Sequence, residues 1–164
     1  MTDETATLNE DDAKAEPCFR LIYRSRSLLP EDNEGSKSGL AEILKVARQN
    51  NQRLGVTGAL ILYEEKQRFA QVLEGPEHTV KDLLNRIKAD SRHDSIEVRE
   101  AGDASGRLFT RWAMALVLEH HEPDVPLIGT TGGISEAAPW RVTPEQEAVL
   151  TRLKDMTRGY GRGY

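Results

Sequence analysis

Apolar residues along this chain follow two spacings, and these spacings predict most of the secondary structure. Alternating or continuous apolar runs of strand length predict five strands, and spacings of three and four predict three helices. The predicted strands are 18–25, the two arms of a hairpin over 55–75 that turns at Glu64, Glu65 and Lys66, then 94–102 and 107–119. The predicted helices run from a Ser38 cap to Asn51, from Pro76 to the sequence DSRH (90–93), and from 143 to 157.

The order of these elements is β-α-β-β-α-β-β, followed by a helix. It predicts a ferredoxin-like α+β sandwich, with two helices on one face of a five-stranded, mostly antiparallel sheet and an additional C-terminal helix. Thr143 and Gln146 have the spacing of a capping box for that last helix. Its apolar positions Val149, Leu150 and Leu153 need a partner surface, on this sheet or on another subunit.

Polar stretches divide the chain around this predicted domain. The predicted parts are an acidic disordered tail (1–17), the folded domain (18–119), a linker (120–142), the C-terminal helix (143–157) and a flexible Arg/Gly/Tyr tail (158–164). The ending RGYGRGY has the composition of Arg-Gly-aromatic segments that contact RNA, but seven residues are more simply a disordered tail.

Charge gives no reason to expect nucleic-acid binding. The 164 residues carry a formal charge of -5, and residues 1–16 hold six acidic side chains against one lysine, so the remainder balances to zero. No apolar run has the length of a signal peptide or a membrane span, which predicts a cytoplasmic protein without membrane contact.

The reactive residue types exclude several kinds of site. Cys18 is the single cysteine, so neither an intrachain disulfide nor a cysteine-rich zinc site is possible, and the four histidines have no metal-ligand spacing. The sequence GTTGG (129–133) follows no predicted strand and lacks the lysine of a phosphate-binding loop. No nucleophile and base pair is evident near it, so we expect neither an enzyme nor a metal site.

A glutamine within the predicted strand RFAQVLEG (68–75) points to a pocket. Alternation places Gln71 on the same face as Phe69 and Leu73, and a buried amide without a partner costs about 1 to 3 kcal/mol. Further polar or unusual side chains are predicted on the same layer, with Trp112 and Met114 sharing one face of the last strand: Tyr23, Asn50, Asn51, Trp112 and Met114.

Together, these side chains suit an apolar pocket for a flat heteroaromatic ligand, because they can both donate and accept hydrogen bonds. Each one also has an ordinary explanation. Tyr23 can be an interface tyrosine, Gln71 can bond to backbone, and Trp112 and Met114 can fill the core.

Six stretches in order and spacing resemble the BLUF domains, a family of blue-light receptors that bind FAD without a covalent link. The stretches lie between residue 18 and about residue 118: RLIYRS, ILKVARQNN, GVTGALILY, FAQVLEG, RIKADSRH and FTRWAM. The resemblance implies a flavin-binding photosensor of the short type.

The resemblance also implies roles for particular residues. Tyr23 matches the tyrosine that gives an electron to the excited flavin, and Gln71 matches the glutamine beside flavin N5 and O4. The other matches are Asn50 and Asn51 at the pyrimidine edge, Ile43 and Ile87 on the two sides of the ring, Arg86 and Asp90 at the carbonyl and ribityl side, and Arg92 and His93 near the ribityl phosphate. The spacing of Asp82, Arg86 and Asp90 is equally that of a surface ion-pair ladder.

In the implied mechanism, electron and proton transfer from Tyr23 leaves Gln71 rotated or tautomerised, and Trp112 or Met114 exchanges places beside it. We expect the signal to reach an unidentified protein partner or a homo-oligomer interface, with the last helix as the candidate surface. The alternative is a light-independent interaction module of the same fold that holds no flavin.

Overall fold

A five-stranded sheet forms the centre of the computed structural model, which describes residues 17–30, 33–63, 67–110, 112–118, 127–128, 134–135 and 142–158. The strands of this sheet are β1 (Cys18–Ser27), β2 (Thr57–Tyr63), β3 (Arg68–Gly75), β4 (His93–Ala104) and β5 (Ala115–Leu118). The helices are α1 (Asn33–Leu54), α2 (Glu77–Lys88) and α3 (Pro144–Arg158). Two further short strands, β6 (Leu127–Ile128) and β7 (Ile134–Ser135), pair only with each other.

The strand order confirms the predicted fold class. The sheet runs β4-β1-β3-β2-β5, in which β1 is antiparallel to both β3 and β4, and β2 is antiparallel to β3. The last strand, β5, is parallel to β2. The result is the expected ferredoxin-like α+β arrangement of a mostly antiparallel sheet with helices packed on it.

Each face of the sheet carries its own apolar core. One core packs α1 and α2 against alternate residues of the strands, and we name this side the pocket face. The other core packs α3 against the intervening residues, and we name this side the α3 face. Val149, Leu150 and Leu153 are buried there, so the partner surface of the last helix is the sheet of the same chain.

Helix α1 begins earlier than predicted. Ser38, the predicted cap, lies inside the helix, because α1 starts at Asn33. Two glycines and two serines made this stretch a predicted loop, since all have low helix propensity. Packing reverses the preference: a Cβ atom at Gly39 would lie 2.6 Å from Leu29 Cδ2, so the glycine lets the helix pack closely on Leu29.

The last strand of the sheet is shorter than predicted, because residues 107–110 and 112–114 are not part of it. Their backbone groups bond elsewhere: the Glu74 carboxylate accepts hydrogen bonds from the N–H groups of Leu108 (3.1 Å) and Phe109 (2.9 Å). The Trp112 N–H then donates to Phe109 O at 3.1 Å, which turns the chain. Regular pairing with β2 begins only at Ala115.

The remaining predictions concern the cap of α3, the linker before it and the segments that the structure does not describe. The capping box of α3 is confirmed, because Thr143 N donates to Gln146 Oε1 (3.0 Å) and Gln146 N donates to Thr143 Oγ1 (3.2 Å). The β6 and β7 pair lies within the predicted linker, on either side of GTTGG in the chain. The acidic tail up to residue 16, the hairpin turn at 64–66, GTTGG and the last six residues lie outside the described residues.

Candidate functional site

A pocket of about 240 Å³ opens on the pocket face, between the sheet and helices α1 and α2. This volume is several times the roughly 30 Å³ of one water molecule, which leaves room for a small ring system. Ten of the twelve predicted site residues line it: Tyr23, Ile43, Asn50, Asn51, Gln71, Arg86, Ile87, Asp90, Arg92 and His93. The two that do not are Trp112 and Met114.

Gln71 has partners at both ends of its amide. Tyr23 and Gln71 are directly opposite each other in the pairing of β1 with β3, and Tyr23 Oη donates a hydrogen bond to Gln71 Oε1. At the other end, Gln71 Nε2 donates to the sulfur of Met114 at 3.3 Å. A thioether is a weak acceptor, so the donor end of the amide is held less firmly than the acceptor end.

Burial keeps the Tyr23 phenol neutral. The side chain is 3% exposed, and this desolvation, with a smaller effect of the nearby Asp90 charge, raises the pKa of the phenol well above its ordinary value. Tyr23 therefore remains a hydrogen-bond donor to Gln71 at any physiological pH.

Trp112 and Met114 lie on opposite faces of the sheet, so the prediction that they share one face is wrong. Met114 belongs to the core of the pocket face, whereas Trp112 packs on the α3 face, 5.0 Å from Phe109 between ring centroids. The prediction relied on the alternation of an extended strand, but the backbone bends at Ala113, between the two residues. Met114 is therefore the neighbour of Gln71.

The short segment Trp112–Met114 is held through its carbonyl groups, each by a different donor. Trp112 O accepts from Gly58 N (3.0 Å), Ala113 O from Asn51 Nδ2 (3.4 Å) and Met114 O from Arg48 Nε (3.1 Å). Gly58 cannot carry a side chain here, because its Cβ would lie 2.0 Å from the carbonyl oxygen of Val72.

Asp90 and Arg92 form an ion pair on the polar side of the pocket, with an N–O distance of 2.5 Å. The hydrogen bond from Arg92 lowers the pKa of the Asp90 carboxyl, against the opposing effect of partial burial, and the same bond raises the pKa of Arg92. The Asp90 carboxylate thus pairs with the arginine two residues later, not along the helix with Arg86 as an ion-pair ladder requires.

His93 joins the end of α2 to β1. Its Nε2 lies 2.8 Å from Ile87 O, and its Nδ1 lies 2.9 Å from Ser25 Oγ. A carbonyl can only accept, so Nε2 carries a proton and donates it. Both ring nitrogens bond within the protein, and the ring lies edge-on to Phe69.

Sequence reasoning did not assign five apolar residues to the site and did not identify one polar residue beside it. The apolar lining residues are Val46, Ala47, Leu60, Phe69 and Leu83. Most lie three or four residues from a predicted site residue on a helix, or two residues away on a strand, so periodicity could have added them. Arg48 is different, because a bond from a side chain to a distant carbonyl leaves no pattern in the sequence.

The pocket fits the flavin of FAD by its chemistry. Helices α1 and α2 both supply apolar side chains to its lining, which also includes amides, guanidinium groups and a carboxylate. A planar ring system with a polar edge needs this combination of apolar walls and edge-on donors and acceptors.

The described residues show neither a group of metal ligands nor a helix suited to span a membrane. No group of three or more His, Cys, Asp or Glu side chains is arranged there to hold a metal ion. None of the three helices described above combines the length and apolarity that a membrane span needs.

Sequence comparison relates this chain to light-responsive proteins. The photoactivated adenylate cyclase subunit beta of Euglena longa is 37% identical over 95 residues, which are 58% of this chain and 11% of that protein. The blue light- and temperature-regulated antirepressor BluF of Escherichia coli (strain K12) is 36% identical over 105 residues, 63% of this chain and 25% of that protein. This chain therefore spans only about a tenth to a quarter of the length of these relatives.

Solved structures and a family profile cover the same region. The dark state of the BLUF protein BlrB has a TM-score of 0.56 and 32% identity, over 62% of this chain and 72% of that one. The ground state of BlsA has a TM-score of 0.58 and 32% identity, over 63% of this chain and 66% of that one. Residues 18–115, more than half of the chain, match the profile of the BLUF family, described as sensors of blue-light using FAD. The chain belongs to the BLUF family of FAD-binding blue-light sensors.

Proposed function

We propose that this flavin-based photoreceptor uses the line Tyr23, Gln71 and Met114 as its light-responsive element. The supporting observation is the orientation of the Gln71 amide, which accepts from the Tyr23 hydroxyl and donates to the Met114 thioether in the core of the pocket face. One end of the amide is bonded strongly and the other weakly. Such an amide can exchange its ends without placing a new charge in the core.

The residues that hold FAD follow from the lining of the pocket. Ile43 of α1 and Ile87 of α2 would pack on the two sides of the ring, and Asn50 and Asn51 would bond to its polar edge. Arg86, Asp90 and Arg92 supply charged groups to the lining, toward which the ribityl chain would extend. Because His93 is bonded to Ser25 and Ile87, we assign it to fixing this wall of the pocket.

When bound, FAD supplies the chromophore that absorbs blue light and the oxidising power of its excited state. Tyr23 is placed to give up an electron together with its hydroxyl proton, which moves along the existing hydrogen bond to Gln71 Oε1. The electron and proton would return to Tyr23 on recombination, so no net oxidation remains, and the Gln71 amide is left rotated or tautomerised, with its donor toward Tyr23 and its acceptor toward Met114.

The energy available from this change is modest. A neutral hydrogen bond contributes about 0.5 to 1.5 kcal/mol, so an amide that exchanges two of them can bias a balanced two-state element by a few kcal/mol at most. The weak bond from Gln71 Nε2 to the Met114 sulfur is the one that a reversed amide loses. Met114 is therefore the first neighbour to respond.

The output is a change in contacts with another protein, not catalysis. Leu108 contacts α3, since Gln146 of α3 donates to Leu108 O at 2.8 Å, and Met114, six residues later, contacts Gln71 on the pocket face. The named relatives are a photoactivated adenylate cyclase subunit and a blue light- and temperature-regulated antirepressor. We propose that here the change reaches a separate partner or a second copy of the chain through α3.

An absorption spectrum of the purified protein, loaded with FAD, before and after blue light tests this function. We expect bound flavin and a small, reversible red shift of its absorption. A colourless protein that cannot be loaded with FAD would support the alternative, a light-independent interaction module of the same fold.

A further inference from the structure

The segment Trp112–Met114 carries the sulfur that meets Gln71, yet it lies before the regular pairing of the last strand. Ladder pairing with β2 starts at Ala115, so Met114 is held in place by other contacts. We propose that Arg48 is a positioning residue that holds Met114 beside Gln71 in the dark, an inference that rests on the proposed function.

Burial explains why the carbonyl bonds of this segment matter. Ala113 and Met114 are both 0% exposed, so their carbonyl oxygens cannot turn to water. A buried carbonyl without a partner is unfavourable, which means that the donors at these positions decide where the segment sits. The donors to Ala113 and Met114 are side chains of α1, Asn51 and Arg48.

Of these two bonds, the one from Arg48 is the stronger. Its Nε–H belongs to a guanidinium and lies 3.1 Å from Met114 O, whereas the neutral amide of Asn51 lies 3.4 Å from Ala113 O, beyond the usual range. Arg48 and Asn51 are three residues apart on α1, so they reach the segment from one side of the helix.

The side chain of Met114 cannot fix the position of its own sulfur. It is unbranched and flexible, and its sulfur accepts only weak hydrogen bonds. The position of the sulfur against Gln71 Nε2 thus depends on where the Met114 backbone is held. Arg48 fixes that backbone at the residue itself, by its bond to Met114 O.

Loss of the Arg48 bond should therefore destabilise the dark position of Met114 and leave the photochemical pair intact. Arg48→Leu keeps an apolar stem and removes the donor, whereas Arg48→Lys can still donate to the carbonyl. Arg53→Leu, at an exposed position on the same helix, is the matched control.

The experiment combines absorption with methionine methyl NMR on FAD-loaded protein. The chain has three methionines, Met1, Met114 and Met156, so Met114→Leu identifies the resonance of Met114. In Arg48→Leu we expect a shifted or second Met114 resonance in the dark and a dark recovery at least about threefold slower. Arg48→Lys and Arg53→Leu should recover within about a factor of two of the unaltered protein.

A single unshifted Met114 resonance in Arg48→Leu, or a recovery no slower than that of the unaltered protein, would overturn the inference. If Arg48→Leu does not fold, the Arg48 Nε–H resonance of the unaltered protein decides: it should shift under blue light, and no shift would overturn the inference. Absence of flavin or of any red shift in the unaltered protein would instead remove the proposed function.

Discussion

Strand β3 buries one polar side chain on each face of the sheet, and the two are satisfied very differently. On the α3 face, the fully buried Glu74 carboxylate accepts from Arg20 Nε (2.7 Å), Leu108 N and Phe109 N. On the pocket face, Gln71 has one good acceptor bond and one weak bond to sulfur beside a cavity.

The difference separates a structural polar group from a responsive one. A buried group with all its partners in place rigidifies the structure, because any movement breaks several bonds together. A group with a weak partner next to open space can change partners at small cost. Both types of residue are polar exceptions in an apolar strand, and only their partners tell them apart.

The largest effect is expected when Gln71, the responsive polar group, loses its hydrogen-bond donor Tyr23. Tyr23→Phe removes the hydroxyl that donates to Gln71 Oε1 and adds no bulk. We expect the protein to keep its flavin and to lose the light-induced red shift completely. Steady illumination followed by absorption measures this, with Tyr63→Phe at the end of β2 as the control. A red shift of normal size in Tyr23→Phe would exclude Tyr23 as the donor.

Truncation of Glu74 tests the structural side of the comparison. Glu74→Ala leaves the partly buried Arg20 and the N–H groups of Leu108 and Phe109 without their acceptor. The free energy of unfolding should fall by about 3 to 5 kcal/mol, as when one partner of a buried pair is removed. Gln71→Leu should cost less, about 1 to 3 kcal/mol, because it leaves one neutral group, the buried Tyr23 hydroxyl, without its acceptor.

Urea unfolding of both variants, without added flavin, measures this difference. Equal losses of stability in Glu74→Ala and Gln71→Leu would contradict the distinction between the two polar groups.

A smaller effect is expected from the titration of Tyr23. Burial raises its pKa in the folded state above the ordinary value of 10.0, so the folded protein keeps a proton that the unfolded chain loses. This contribution to stability is fully present below pH 10 and declines as the pH rises toward the folded-state pKa. Between pH 10 and 11 the free energy of unfolding should fall by about 1 kcal/mol from this group.

The difference between the unaltered protein and Tyr23→Phe isolates the contribution of this one phenol, since other groups titrate equally in both. Chemical unfolding at pH 9, 10 and 11 gives the slope. Parallel pH dependence in the two proteins would show that the phenol is not held neutral by burial.

Local patterns predicted most of this fold because most of it follows local rules. Alternation in RFAQVLEG placed Phe69, Gln71 and Leu73 on the pocket face, and helical spacing placed Asn51 there as well. The misassigned parts depend on contacts that are remote in sequence. Glu74 takes the N–H groups that a longer last strand would use, and Leu29 packs against the glycine that looked like a helix breaker.

The site residues also divide into those that local patterns predict and those that depend on contacts remote in sequence. The pocket residues could be predicted because the family resemblance and the periodicity name side chains that point into one space. The position of Trp112 could not, since a bend at Ala113 places Trp112 and Met114 on opposite faces and leaves no pattern in the sequence. Arg48 could not be predicted either, because its partner is a backbone carbonyl sixty-six residues away.

The exchange of partners by the Gln71 amide is the central claim, and Gln71→Leu tests it most directly. The measurement is the difference in flavin absorption before and after blue light, in the unaltered protein and in Gln71→Leu, both loaded with FAD. The account predicts a small reversible red shift in the unaltered protein and none in the variant, although the variant still binds flavin. A red shift of the same size in Gln71→Leu would contradict the account, because the light response would then not need the amide.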